Sequence, residues 1–128
     1  MPDCIFCNKS KLDLIYSDDV FYVIRDSYPV TKDHTLIILN DHDKSYFDLQ
    51  DLEIIKLNQI IKFQKNDLIE KDNFITGFNI GINQGKDAGQ TVMHLHIHLI
   101  PRRKGDTDNP RGGVRGVIQG KQDYKWKN

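Results

Sequence analysis

Cysteine is scarce in this chain. Cys4 and Cys7 are the only two in 128 residues, too few for a disulfide scaffold. No apolar run approaches the ~20 residues of a membrane span. The opening Met-Pro-Asp-Cys-Ile-Phe-Cys has no basic stretch leading into an apolar one, so no secretion signal is expected. Net charge is missing too: eighteen Lys and Arg balance eighteen Asp and Glu. A protein that grips nucleic acid by bulk electrostatics shows a basic excess instead. Repeats and low-complexity stretches are absent, and no linker divides the chain. These absences leave a single domain over 1–128, in the cytoplasm, with no membrane and no nucleic acid as partner. At 14.9 kDa the chain is long enough to bury a sizeable core.

The elements follow from apolar spacing. Val20 to Ile24 is β-branched and aromatic and predicts a strand. Asp26-Ser27-Tyr28-Pro29 then supplies turn chemistry, and Thr35 to Leu39 is a second strand. From about Tyr46 to Lys71 no Gly or Pro interrupts the chain. There Ile54, Leu57, Ile60, Ile61 and Leu68 repeat at a period near 3.6, which predicts one long helix. Ile55, Phe63 and Ile69 lie off that stripe. From Phe74 to Ile82 the chain alternates. Phe74, Thr76, Phe78, Ile80 and Ile82 share one face, with Gly77, Asn79 and Gly81 on the other. Met93 to Ile100 predicts a further strand, stopped by Pro101. The tail from about 102 to 128 reads as largely irregular, with a short strand at Val114 to Ile118. One long helix and about five strands in hairpin-like order predict an α+β fold with an antiparallel sheet.

Three of the five histidines stand at 94, 96 and 98. In a strand, alternate residues share a face. His94, His96 and His98 therefore project together, about 7 Å apart along the strand, while Met93, Leu95, Ile97 and Leu99 turn to a core. That span suits several imidazoles around one phosphate. Near neutral pH an imidazole serves as nucleophile, acid or base. A carbonyl bound to one nitrogen fixes the tautomer and frees the other to attack. A plain metal-binding or polar strand face is the competing reading. Cys4 and Cys7 have C-x-x-C spacing, which is open to chance, a redox pair or half a zinc site.

His94-Leu95-His96-Ile97-His98-Leu99-Ile100 resembles the signature of the histidine-triad (HIT) superfamily. Cys4-Ile5-Phe6-Cys7 is similar to an N-terminal motif frequent in its bacterial hydrolases. Arg25 to Pro29 with His34 to Ile38, Asn83-Gln84-Gly85, Ala88 to Val92, and the tail Pro110 to Ile118 extend the likeness. Two departures stand out. Lys32-Asp33 precedes His34 where Pro-Gly is common, and Gln119 follows Ile118 where a proline is frequent.

The resemblance implies a HIT-like fold whose sheet joins a partner's edge to edge in a homodimer. It implies a nucleotide hydrolase or nucleotidyltransferase acting at the α-phosphate of a small-molecule purine nucleotide conjugate, through a nucleotidyl-histidine on His96. His98 then donates to the phosphate and leaving group. His34 packs against His94 as an orienting group. Asn83, Gly89, Gln90 and Thr91 hold phosphate oxygens, Asp26 accepts from the ribose hydroxyls, and Ile5, Phe6 and Ile24 wall the base. It also implies a structural Zn²⁺ on Cys4, Cys7, His42 and His94, with no cofactor needed for the chemistry. Dinucleoside polyphosphates and nucleoside phosphoramidates are the candidate substrates, and Arg111 in the tail is a candidate clamp for a longer anionic ligand.

Overall fold

The computed structural model describes residues 3–126. A five-stranded antiparallel sheet runs in the order β1-β2-β3-β5-β4. Its strands are β1 Tyr16–Ser17, β2 Phe21–Arg25, β3 Thr35–Leu39, β4 Ile75–Gly81 and β5 His96–Arg103. A single long helix, α1 Asp51–Lys71, connects β3 to β4.

Helix α1 covers one face of the sheet. Leu57 and Ile60 pack there with Phe21, Val23, Ile37, Leu39, Leu95 and Ile97. Leu68 joins Ile75 and Leu99 further along. The N-terminal segment covers the other face at its centre, where Phe6 packs with Tyr22, Ile24, Leu36 and Ile38. Covered on both sides, β2 and β3 are apolar runs without alternation. Each Leu or Ile buried here contributes about 2 kcal/mol relative to exposure. Ile55, Phe63 and Ile69 stay exposed on the outside of α1.

Several expectations are corrected. The helix begins at Asp51, not near Tyr46, because the chain is capped twice. Ser45 donates its amide to Asp48 and closes one 3-10 turn, Tyr46–Asp48. Gln50 then donates its amide to Glu53 and starts α1. Near the triad, 93–95 lie outside the ladder and β5 begins at His96. Pro101 does not stop β5, which pairs onward to Arg103. The Pro101 carbonyl accepts from Thr31 Oγ1, on the side where β3 has already ended at the Thr35–Leu99 pair. The missing proline N–H thus faces no strand. An irregularity between Ile75 and Gly77 breaks the alternation of β4. Ile75 is therefore buried, while Phe74 is exposed. Residues 113–117 form a 3-10 turn rather than a strand. The two-residue β1 has too few residues for a pattern to show.

The Lys32-Asp33 turn has a definite conformation. Asp33 has φ +68° and is the one non-glycine with positive φ among the described residues. This is the position where the resemblance expects glycine, so the left-handed turn is kept with a residue that it strains. Asp33→Gly is expected to stabilise the fold by about 1 kcal/mol. Thermal unfolding then shows Tm raised by a few degrees; a lowered Tm would count against strain at this turn.

Candidate active site and metal centre

The triad sits where β5 passes beneath the N-terminal segment. Each imidazole is tied to the chain through one nitrogen. His96 Nδ1 lies 2.8 Å from the His94 carbonyl. A carbonyl only accepts, so Nδ1 carries the proton and Nε2 keeps a free lone pair. His94 donates from Nε2 to the Leu39 carbonyl, which leaves its Nδ1 lone pair facing the cysteines. The Val30 amide donates to His34 Nδ1 at 3.2 Å. In neutral His34 the proton is then on Nε2, 2.9 Å from His98 Nδ1. His98 accepts there and carries its own proton on Nε2.

His34 therefore contacts His98 and not His94, contrary to expectation. The distance also speaks against a cation between them, although Asp26, His34 and His98 cluster. A metal on His34 Nε2 would force a proton onto Nδ1, against the Val30 amide. Burial pushes His34 below the ordinary histidine range, opposed by nearby Asp26. Burial, with His96 and His34 adding repulsion, lowers His98 to about 4. His98 is thus a neutral donor at physiological pH.

A cavity of about 390 Å³ opens beside these rings. Ile5, Phe6, Ile24, Asp26, Asn83, Thr91, His96 and His98 all line it. Phe6 stands edge-on to His96 at 5.0 Å between centroids. Asp26 accepts the Tyr28 amide on Oδ1 in an Asx-turn, and its Oδ2 lies 3.6 Å from His34 Nε2. Gly89 and Gln90 are not among its walls. Both ends of the Gln90 amide are used within its own loop: Oε1 accepts from Gly85 N, and Nε2 donates to the Val92 carbonyl. Arg111 does not reach the cavity either. It donates to the Tyr124 carbonyl and lies over the Tyr124 ring, so it clamps the tail to itself. Trp126 is exposed, edge-on to Tyr124.

The residue list also gains members. Leu12, Leu36 and Val92 complete the apolar wall. Tyr22, fully buried under the N-terminal segment, donates its hydroxyl to the Phe6 carbonyl and so sets the height of Phe6. Burial raises the Tyr22 hydroxyl well above its ordinary pKa, which keeps it a donor. The sequence places Tyr22 only within a strand; the partner of its hydroxyl reveals this role.

Behind the triad, Cys4, Cys7, His42 and His94 converge, with all four ligand atoms within 4.8 Å of one another. Cys4 Sγ is 3.4 Å and Cys7 Sγ 3.5 Å from His94 Nδ1. Cys7 Sγ is 3.3 Å from His42 Nδ1, which is 3.2 Å from His94 Nδ1. Tetrahedral ligands about Zn²⁺ stand about 3.6 Å apart for S and N, and about 3.4 Å for two N. Four donors turning lone pairs to one point fit a cation. Burial and the Cys4 thiol push Cys7 up, a state that a cation would reverse by taking thiolate ligands. This set can hold a metal.

A model of the HIT domain matches residues 8–105. The chain is similar to a Zn-bound histidine triad family protein from Mycobacterium smegmatis, at 34% identity and a TM-score of 0.73, covering 83% of this chain and 79% of that one. It is similar to the Plasmodium falciparum diadenosine triphosphate hydrolase, solved in complex with cyclomarin A, at 35% identity and a TM-score of 0.67, covering 73% and 63%. Adenylylsulfatase HINT3 of Arabidopsis thaliana is 31% identical over 108 residues, 81% of this chain and 54% of that protein.

The low pKa of His98 has a consequence for stability. An unfolded histidine takes up its proton near pH 6.5, whereas folded His98 does so only near 4. Stability is then full above about pH 6.5 and declines as the pH falls towards about 4, by about 3 kcal/mol from this residue. Denaturant unfolding between about pH 7 and about pH 4.5 checks this. His98→Asn is expected to lose that part of the slope; an unchanged slope would contradict it. With the triad's geometry and the family match both in hand, the chain belongs to the HIT family.

Proposed function

We propose that this protein is a hydrolase or nucleotidyltransferase acting at the α-phosphorus of a nucleoside monophosphate conjugate. The carrying observation is the pair of opposed tautomers: His96 offers a bare Nε2, and His98 offers Nε2–H, in one cavity with Asp26. In this reading His96 Nε2 attacks phosphorus. The bond to the leaving group breaks with its electron pair going to the departing atom, which accepts a hydrogen bond from His98 Nε2–H and takes any proton it needs from solvent water. Water then attacks the nucleotidyl-histidine, loses its proton to solvent and releases the monophosphate, leaving His96 Nε2 bare again. Splitting one displacement into two lowers each barrier, and fixed donors supply charge stabilisation to the phosphoryl oxygens. Asp26 accepts from the ribose, and a purine base lies among Ile5, Phe6 and Ile24.

Zinc is the ion we assign to Cys4, Cys7, His42 and His94, because thiolate and imidazole in a closed four-ligand set are its usual structural ligands. It supplies folding of the N-terminal segment, not a step of the reaction. The cytoplasm, where thiols stay reduced, suits such a site, and no described helix is long and apolar enough to cross a membrane.

Of the two candidate substrate classes, a relative named for diadenosine triphosphate supports the dinucleoside polyphosphates; a relative named adenylylsulfatase supports a conjugate carrying one nucleotidyl group, as a nucleoside phosphoramidate does, though on a different acid. A zinc-bearing interaction protein without catalysis is the contrary reading, and the intact nucleophile and donor favour the enzyme. Homodimerisation belongs to the same proposal. β4 is a sheet edge with unpaired backbone groups, and exposed Ile55, Phe63 and Ile69 offer apolar surface on α1.

Turnover of a fluorogenic adenosine phosphoramidate and of diadenosine polyphosphates tests the reading. His96→Ala is expected to lower kcat by about a thousandfold or more with stability within about 1 kcal/mol of wild type. Wild-type turnover by the variant would remove His96 from the nucleophile's role. Elemental analysis is expected to give about one zinc per chain, and Cys4→Ser with Cys7→Ser to lose it; zinc-free protein never exposed to chelator would refute the site. Light scattering is expected to give twice 14.9 kDa, and a clean monomer at micromolar concentration would refute the dimer.

A further inference from the structure

The strained turn at Asp33 lies one residue before His34; Thr35 Oγ1 donates to the Asp33 carbonyl at 2.7 Å, and a side chain at the far end of β5 grips the turn from outside. Arg103 donates from NH1 to the Lys32 carbonyl at 3.1 Å, and its NH2 lies 3.9 Å from Asp33 Oδ2. Its other anchor is Asp72, the residue that ends α1: Nε donates to Asp72 Oδ2 at 3.0 Å, and NH2 lies 3.0 Å from the same oxygen. Asp72 is itself fixed, because its Oδ1 accepts the Phe74 amide. The guanidinium is mostly buried, where a planar fork reaching two fixed acceptors at once holds them in register. Beside it, Thr31 Oγ1 ties the start of the same turn to the Pro101 carbonyl, again on β5.

That turn is what gives His34 its tautomer. Val30 N must reach His34 Nδ1, and His34 N bonds the Thr31 carbonyl, so both contacts depend on the path of 30–34. A residue with a side chain resists φ near +68° more than glycine does, Asp less than most, and Arg103, Thr31 and Thr35 all hold the turn there. We propose that Arg103 is a positioning residue for the reaction. By clamping the Lys32-Asp33 turn to the end of α1 it holds His34 as the Nε2–H tautomer, and thereby keeps the proton of His98 on Nε2, the nitrogen that His34 does not occupy. This role rests on the proposed use of His98 as hydrogen-bond donor, but the tautomers can be read without any substrate.

The logic yields a rescue that simple loss of stability would not. If Arg103 acts by holding a strained turn, glycine at position 33 relieves the need for it. The experiment is ¹⁵N spectroscopy of the imidazoles in the full-length protein, wild type, Arg103→Met, and Arg103→Met with Asp33→Gly, beside kcat and KM on the adenosine phosphoramidate. In the wild type, His34 and His98 are expected as single Nε2–H tautomers. Arg103→Met is expected to show mixed tautomers at both rings and a kcat about tenfold lower, with KM within about twofold because no cavity wall has moved. Adding Asp33→Gly is expected to restore both signals and kcat. Should Arg103→Met fail to fold, Arg103→Lys, which keeps the charge but loses the fork, takes its place in the same series. Wild-type tautomers in the single variant, or no recovery in the double, would overturn the proposal. If no protein of the series turns over any nucleotide, the proposed function fails, and the tautomer signals still decide the role of Arg103.

Discussion

The site depends on one constraint: an imidazole has two nitrogens, and a hydrogen bond to one decides what the other can do. The backbone sets that choice at three rings. The His94 carbonyl takes the proton of His96 Nδ1, the Leu39 carbonyl takes that of His94 Nε2, and the Val30 amide occupies His34 Nδ1. From these three contacts follow a bare Nε2 on His96, a free Nδ1 lone pair on His94 facing the cysteines, and a chain of hydrogen bonds through His34 to His98. None of these contacts needs a charged partner, and burial pushes His94, His34 and His98 down towards the neutral form.

The rest of the fold serves to keep those backbone groups in place. β3 supplies the Leu39 carbonyl and, through its preceding turn, the Val30 amide. Helix α1 and its apolar stripe press β3 and β5 together from behind. On the front, the C-x-x-C segment is drawn to His94, which brings Phe6 against His96. His94 thus links the four residues that can hold a metal to the cavity of His96 and His98, and the proposed reaction makes no use of it. The backbone polar group that His94 bonds, the Leu39 carbonyl, would otherwise be left at the point where β5 departs from the ladder.

Much of this was legible before any coordinates. Period-2 spacing puts His94, His96 and His98 on one face and Met93, Leu95, Ile97 and Leu99 on the other; burial agrees for Leu95, Ile97 and Leu99, whereas Met93, before the start of β5, is exposed. The stripe of Leu57, Ile60 and Leu68 found the core face of α1. The four metal-ligand candidates do converge. What escaped was set by contacts that residue type and spacing do not announce. The partner of His34 depends on a turn whose shape a Lys-Asp pair does not announce. Gln90 looked like a phosphate ligand, but its amide is satisfied by Gly85 and Val92. Pro101 read as a strand end, and only the early finish of β3 makes it harmless. Arg111 read as a phosphate clamp, yet Tyr124 lies close enough to engage it first.

The central claim is that His96 Nε2, left bare by the His94 carbonyl, forms a bond to phosphorus. Mass spectrometry of protein quenched during turnover of a nucleotide conjugate measures this most directly. The account predicts a nucleoside monophosphate adduct on the peptide carrying the triad, located at His96 by fragmentation and absent from His96→Ala. Turnover with no adduct under conditions that preserve phosphoryl-histidine, or an adduct mapped to His98, would contradict it.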